Sequence, residues 1–365
     1  MTEETFLERV RLAARSRGVV EGGVASSAAE GFEGSGVHFR NVRFDGVILP
    51  GARLDSAVSE SETFLGAHLA GASLVGARFL ASRLEQTDLH GAVVEGALFD
   101  GCRLPRVDLA ESKGAGASFR GADLGAARFA GAHLPRARFD GAALLRADLT
   151  GAVLTDAVLA GADLTAAIFD AADVGAGSFA GAQVTRASFV GLLASGAALR
   201  ELVGADADFS GATLDGARFE GARLPRASFR NARLARATFA GAAVLHGDFS
   251  GAVLEEAHLE GSDLRSAQLV GATLTRATLA GARLDRALCT GADLRLVRGA
   301  SLSAAHARFA RARLDGADLT GAVLRGADLH RATDTGAVLT RADLAGVKRT
   351  DTALAAAEDY EPPPP

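Results

Sequence analysis

The chain has 365 residues, 39 Lys and Arg against 44 Asp and Glu, and a formal net charge of −5. Hydrophobic residues reach 48%, which excludes disorder, yet aromatics are only 5%, with no Trp, one Tyr and one Met beside 44 Gly. No apolar run of about 18 residues is present to span a membrane, the N-terminus is too charged for a signal peptide, and two cysteines cannot form a disulfide framework. A cytoplasmic location is the expectation. At about 150 residues per domain, length alone suggests two or three domains. A core restricted to small residues plus Leu and Phe points instead to repetition.

Residues 3–16 read as an amphipathic helix. Thr2 stands at the N-cap position, and Phe6, Leu7, Val10 and Ala13 or Ala14 form one apolar stripe, with Gly18 ending it. Its expected role is to cap the element that follows, a partner-binding helix being the alternative. The Gly/Ser-rich stretch 21–36 is expected to be a linker or an irregular first coil, so residues 1–36 form an N-terminal cap.

Residues 37–348 carry a repeat of five. From Phe39 to Leu344 the 62 positions in this register are nearly all Leu or Phe, with a few Val. The residue two before is usually Ala and the residue two after usually Gly, as at Ala152 and Gly151. A period of five fits neither a helix at 3.6 nor an alternating strand at 2. It fits a short extended side followed by a corner, with the large central residue and the small Ala turned inward. Pro50, Pro105, Pro135 and Pro225 all follow a central residue, at the first corner position, where a fixed φ suits a turn. Gly at the second corner position fits type II. Arg106, Arg136 and Arg226 after three of the prolines lead to the expectation of type I there.

Fifteen of the 19 Phe occupy positions ending in 9. Large and medium residues therefore alternate from side to side, which requires an even number of sides. Four sides of five residues make a square coil, with Phe79, Phe99, Phe119, Phe139, Phe179, Phe219 and Phe239 stacking on Phe walls. Leu124, Leu144, Leu164 and Leu224 fill the walls between. At a strand spacing of ~4.8 Å, about 15 coils would make a rod of roughly 70–75 Å. The ladder weakens at Ser59, Gly114, Ala194, Gly204, Gly299, Ala304 and Asp334. Residues 192–206 and 295–305 are expected to be distorted coils or loops leaving the wall. Residues 349–365 close the chain, with a short capping helix over 351–359 and an extended tail at Pro362–Pro365.

The segments GADLT (161–165), RADLT (146–150) and GADLH (326–330) resemble the pentapeptide-repeat family, whose consensus is A-[DN]-L-x-x. The resemblance covers about residues 37–348 and implies an all-β right-handed quadrilateral β-helix. Its motif is structural and carries over no catalytic residue.

No enzymatic chemistry is legible. The eight histidines are scattered over different coils, and no Ser-His-Asp set, P-loop or dinucleotide fingerprint occurs. Cys102 and Cys289 replace inward residues and read as buried thiols. No catalytic, metal or cofactor residue is assigned, and no cofactor is expected. The leading expectation is a non-enzymatic scaffold whose walls bind another protein or a second copy. Outward apolar residues Leu145, Val153, Val158, Ile168 and Val190 are the candidate surface. The alternative, implied by the resemblance, is a DNA mimic acting on DNA gyrase and giving resistance to a gyrase-directed compound. Asp88, Asp108, Asp148, Asp208, Asp248 and Asp328 form the candidate acidic stripe for it. Residues 1–40 and 341–365 hold −3 of the −5 net charge, leaving −2 on residues 41–340, whereas duplex DNA of ~70 Å carries on the order of 40 negative charges. Arg128 and Arg308 interrupt the stripe. No net basic face appears, so direct nucleic-acid binding is not expected. A third alternative, also from resemblance, is an accessory protein of a bacterial secretion system.

Overall fold

The computed structural model describes residues 3–25 and 31–359. The Thr2 N-cap, residues 26–30 of the Gly/Ser-rich stretch and the proline tail lie outside the described residues. Residues 1–198 and 199–365 form two units, both built on one plan. Parallel bridges join each outward residue to the one 20 positions on, as in Asp88 with Asp108, Arg138 with Val158 and Val253 with Thr273. Four five-residue sides therefore complete one turn, and the fold is a right-handed quadrilateral β-helix.

Hydrogen bonding explains the five-residue unit. In one side, His68 donates to the Val47 carbonyl of the preceding coil at 2.8 Å, and Leu69 to the Asp88 carbonyl of the next at 2.7 Å. Gly71 donates to the His90 carbonyl at 2.8 Å, and Ala72 closes the corner on the Leu69 carbonyl at 3.0 Å. Only the first corner amide has no place in this ladder. Proline, which has no N–H, therefore fits there without losing a bond. Elsewhere an aspartate serves that amide. Asp88 and Asp148 accept from the amides of His90 and Thr150, two residues on, both at 3.0 Å. Asp55 and Asp100 reach across to Val75 and Arg120 of the next coil, also at 3.0 Å. The aspartate of the A-D-L unit is thus a corner brace.

The second corner residue is left-handed, with φ 67° at Gly71 and 63° at Gly151. Arg106, Arg136 and Arg226 share this conformation, each at φ 59°. This corrects the type I expectation, because the second central residue of a type I turn has negative φ. The cause is register: the Arg106 amide must reach the Gly125 carbonyl, 2.8 Å away in the next coil, and only the left-handed corner aims it there.

The interior is filled by side chains. Phe79, Phe99, Phe119 and Phe139 stack with successive centroids 4.8, 5.0 and 5.1 Å apart. Phe129, from the opposite side, meets Phe119 and Phe139 edge-on at 5.7 and 5.6 Å. In the second unit Phe219 stacks on Phe239 at 4.6 Å, and Phe229 lies edge-on to both at 5.5 and 5.6 Å. Phe179, Leu124, Leu144, Leu164 and Leu224 are fully buried. Stacked and edge-to-face pairs both suit the aromatic quadrupole, so two Phe walls can share one narrow core.

The weak points are not loops. The coil pattern continues through 192–198 in the first unit, and through 199–206 and 295–305 in the second, with a bend in place of the regular turn at 205–206. Each small central residue there is matched by a large one two positions earlier: Leu192 with Ala194, Leu202 with Gly204, Val297 with Gly299, and Leu302 with Ala304. The four large partners are buried. Volume is exchanged within one side, which close packing tolerates. At Gly299 a Cβ would lie 3.0 Å from Leu319 Cδ2, so a neighbour occupies the vacated space.

Helix α1 (Glu3–Ser16) covers the start of the first unit. Phe6 and Val10 are 3% and 1% exposed, and the Phe6 ring meets Phe44 edge-on at 6.1 Å. Arg17, not Gly18, takes the left-handed position after the helix, at φ 51°, and the Gly18 amide bonds the Ala13 carbonyl at 2.9 Å. Strand β1 (Val19–Val24) then pairs in parallel with β2 (His38–Arg43), so the start of the expected linker is a strand. Strands β3 (Val58–Glu60) and β4 (Arg78–Leu80) continue this sheet. In the second unit α2 (Thr352–Glu358) forms, but it does not cover the last side chains of the ladder. Leu344 is 37% exposed and Leu354 of the helix 50%. Arg311 and Arg331 hold α2 through Glu358 at 2.7 and 3.0 Å. The expected C-terminal cap is a polar tether, because Thr352, Ala353 and Leu354 turn no apolar surface onto the coil.

Candidate interaction surface

Three of every five residues face outward, so every wall is a lattice with one row per 20-residue step. The predicted apolar residues do not share a row. Val153 lies between His133 and Asp173, Val158 between Arg138 and Ser178, and Ile168 between Asp148 and Ser188. Leu145, Ile168 and Val190 are exposed, while Val153 and Val158 are half-buried. Val153, Val158 and Ile168 lie in separate rows and Leu145 and Val190 at corners, so the structure does not gather the five into one row.

The predicted aspartates do fall in register, but their charge is largely engaged. Asp88, Asp108, Asp148, Asp208, Asp248 and Asp328 each accept the amide two residues on, at 2.9–3.0 Å. Asp108 also pairs with Arg128 at 2.9 Å, and Asp248 with Arg230 at 2.9 Å. Arg230 and the Ser250 hydroxyl and amide hold Asp248 below the usual carboxylate range, against the opposing effect of burial. In the first unit the row reads Asp88, Asp108, Arg128, Asp148, Ile168; in the second, Asp208, Ser228, Asp248, Gln268, Leu288, Arg308, Asp328. Among the described residues no group of three or more His, Cys, Asp or Glu could hold a metal ion. Cys102 and Cys289 are free and buried, and burial pushes their thiols up to about 11 and about 12, away from the nucleophilic thiolate. No helix among the described residues is long and apolar enough to cross a membrane.

With this lattice in view, the family match is decisive. Eight copies of the family "Pentapeptide repeats" match within residues 64–170, 205–241, 248–279 and 298–333, more than half of the chain. The chain belongs to the pentapeptide-repeat family. Among solved structures it is similar to HetL, a pentapeptide repeat protein involved in heterocyst differentiation regulation from the cyanobacterium Nostoc sp. strain PCC 7120. That match has 24% identity over 73% of this chain and 86% of that one, with a TM-score of 0.16. It is also similar to QnrB1, a plasmid-mediated fluoroquinolone resistance protein, at 18% identity over 57% and 95% of the two chains, with a TM-score of 0.26. A pentapeptide repeat protein of the Arabidopsis thaliana thylakoid lumen matches at 32% identity over 30% and 69%, with a TM-score of 0.13. No curated protein matches.

Two departures from the pentapeptide-repeat pattern stand out, and the first was not predicted from the sequence. Glu62 stands where the family has its small inward Ala. It is fully buried, and both carboxylate oxygens lack a partner. Burial pushes its carboxyl up to about 7 and the Glu60 charge adds to the rise; the Glu62 and Val42 amides and the Ser82 hydroxyl lie nearby without hydrogen-bonding geometry and offset only part of it. The signal was present: an acid two residues before Phe64 breaks the Ala column. The second departure is a set of charged residues at left-handed corners, where Gly is the relaxed choice.

Proposed function

We propose that this pentapeptide-repeat protein is a non-enzymatic, cytoplasmic scaffold whose outer walls bind another protein or a second copy of itself. The carrying observation is the filled interior. Among the described residues stacked Phe and Leu fill the interior, which leaves the outer lattice as the surface for binding. The least covered part of that surface is the last coil of the second unit, where Val338 and Leu344 are exposed. Light scattering tests self-association: a dimer that weakens with Leu344→Asp supports it, and a monomer at high concentration rejects it. A supercoiling assay with purified gyrase tests the gyrase alternative, and no effect at about micromolar protein, a concentration matching a Kd near −8 kcal/mol, removes it.

A further inference from the structure

One corner of the first unit stands apart from the other three. After Gly46 and Gly66 its second corner residues run Gln86, Arg106, Ala126, Arg146, Ala166 and Arg186, without glycine, and all six are left-handed. The neighbouring corner keeps Gly101, Gly121, Gly141, Gly161 and Gly181 over the same coils. Side chains in this backbone region are strained relative to glycine, and such strain concentrates where function requires the side chain. Arg106, Arg146 and Arg186 are exposed at φ 59°, 57° and 56°. None of the three forms an ion pair with a described residue, although nearby Arg83 and Arg128 do.

We propose that the Arg106–Arg146–Arg186 row binds an acidic protein segment in the polyproline II conformation carrying a carboxylate at every third residue, a reading that rests on the scaffold function above. Spacing supports it. The arginines repeat every second coil, ~9.6 Å apart, and one three-residue turn of a polyproline II chain, which returns the side chain to the same face, spans about 9.3 Å. Between Arg106 and Arg146 lies a cleft of about 450 Å³, lined by Gly125, Ala126, Arg103 and the exposed Leu145. Glu85 also borders it, but is held by Arg83 at 2.8 Å. The intervening coils carry the opposite charge on the adjoining wall, Asp123 beside Ala126 and Asp163 beside Ala166. On the other wall Asp148 is engaged by the Thr150 amide and hydroxyl at 3.0 and 2.6 Å. Positive points alternating with negative ones suit acid-x-x-acid spacing. They oppose a nucleic-acid strand, which carries a charge about every 3.4 Å.

The test is fluorescence anisotropy on the full chain with three probes of equal charge. These are a labelled peptide with Glu at every third position, the same composition with its Glu contiguous, and a single-stranded oligonucleotide. The spaced peptide should bind tightest. R106G/R146G/R186G should weaken it at least ~10-fold, about 1.4 kcal/mol. Glycine is the relaxed residue at these corners, so the variant should keep its fold, checked by its thermal midpoint. Absence of binding, equal binding of both peptides, or unchanged binding by the variant overturns the proposal. Tighter oligonucleotide binding overturns the choice of partner. The scaffold reading fails separately, if neither a second copy nor a pulled-down protein binds the chain.

Discussion

The two ends of the repeat are finished by different physics. At the first, α1 lays Phe6 and Val10 onto the ladder, and Phe44 passes the contact on to Phe64 by stacking at 4.6 Å. At the last, α2 meets the wall through Arg311, Arg331 and His330 at Glu358, and Leu344 is exposed. A solenoid must cover its terminal coils or leave an edge able to pair with another chain. The covered end is therefore expected to carry more of the stability, and the exposed end is where the proposed association is tested.

The largest effect should come from charging the covered core. Val10→Asp or Phe139→Asp should cost ~4 kcal/mol or more and unfold or aggregate the first unit, as read by thermal melts. If Val10→Asp behaved like a surface change, the contrast between the ends would collapse. Next is Glu62, beside the covered end. Its carboxyl is raised in the folded state from 4.5 to about 7, so the folded protein holds that proton more tightly than the unfolded chain. The contribution of this group to stability should be fully present below about pH 4.5 and be lost as pH rises through 7, a change of roughly 3 kcal/mol at 1.36 kcal/mol per unit. Glu62→Gln should flatten that slope in urea titrations at several pH values; an unchanged slope would mean that the carboxylate is solvated. Leu344→Asp at the open end should change stability by no more than about 0.5 kcal/mol, its effect appearing in light scattering instead. Smallest is Arg331→Ala, which should detach α2 without lowering the main melting transition. Hydrogen bonds from Arg311 and Arg331 keep Glu358 and Asp359 below the usual carboxylate range. That tether is present above their ordinary range and lost as pH falls, and salt should mimic its loss in hydrogen exchange of residues 352–358.

What could be read from the residues was whatever depends on period alone. A central Leu or Phe every five positions places Phe139 and Leu144 inward and Asp148 outward, because a side of fixed length admits one alternation. The alternation of Phe with Leu set the number of sides, and the prolines marked the corners. The candidate surface was less legible. Leu145, Val153 and Ile168 are neighbours in sequence but occupy different walls, and the acidic row is in register yet spends its oxygens on corner amides.

The amino-acid sequence by itself determined the repeat, its inward and outward faces, the helices near both ends and the family. Tertiary structure decided the rest. Arg106, Arg136 and Arg226 are left-handed because their amides must meet a carbonyl in the next coil, a demand no local propensity encodes. Leu202 with Gly204 and Leu302 with Ala304 keep the coil intact because packing conserves the volume of a side, not the identity of a position. Glu62 is shifted because the coils on either side exclude water from it. Which end is covered depends on whether a terminal helix turns an apolar stripe onto the coil, as α1 does with Phe6 and Val10, or only an acidic end onto its arginines, as α2 does with Glu358.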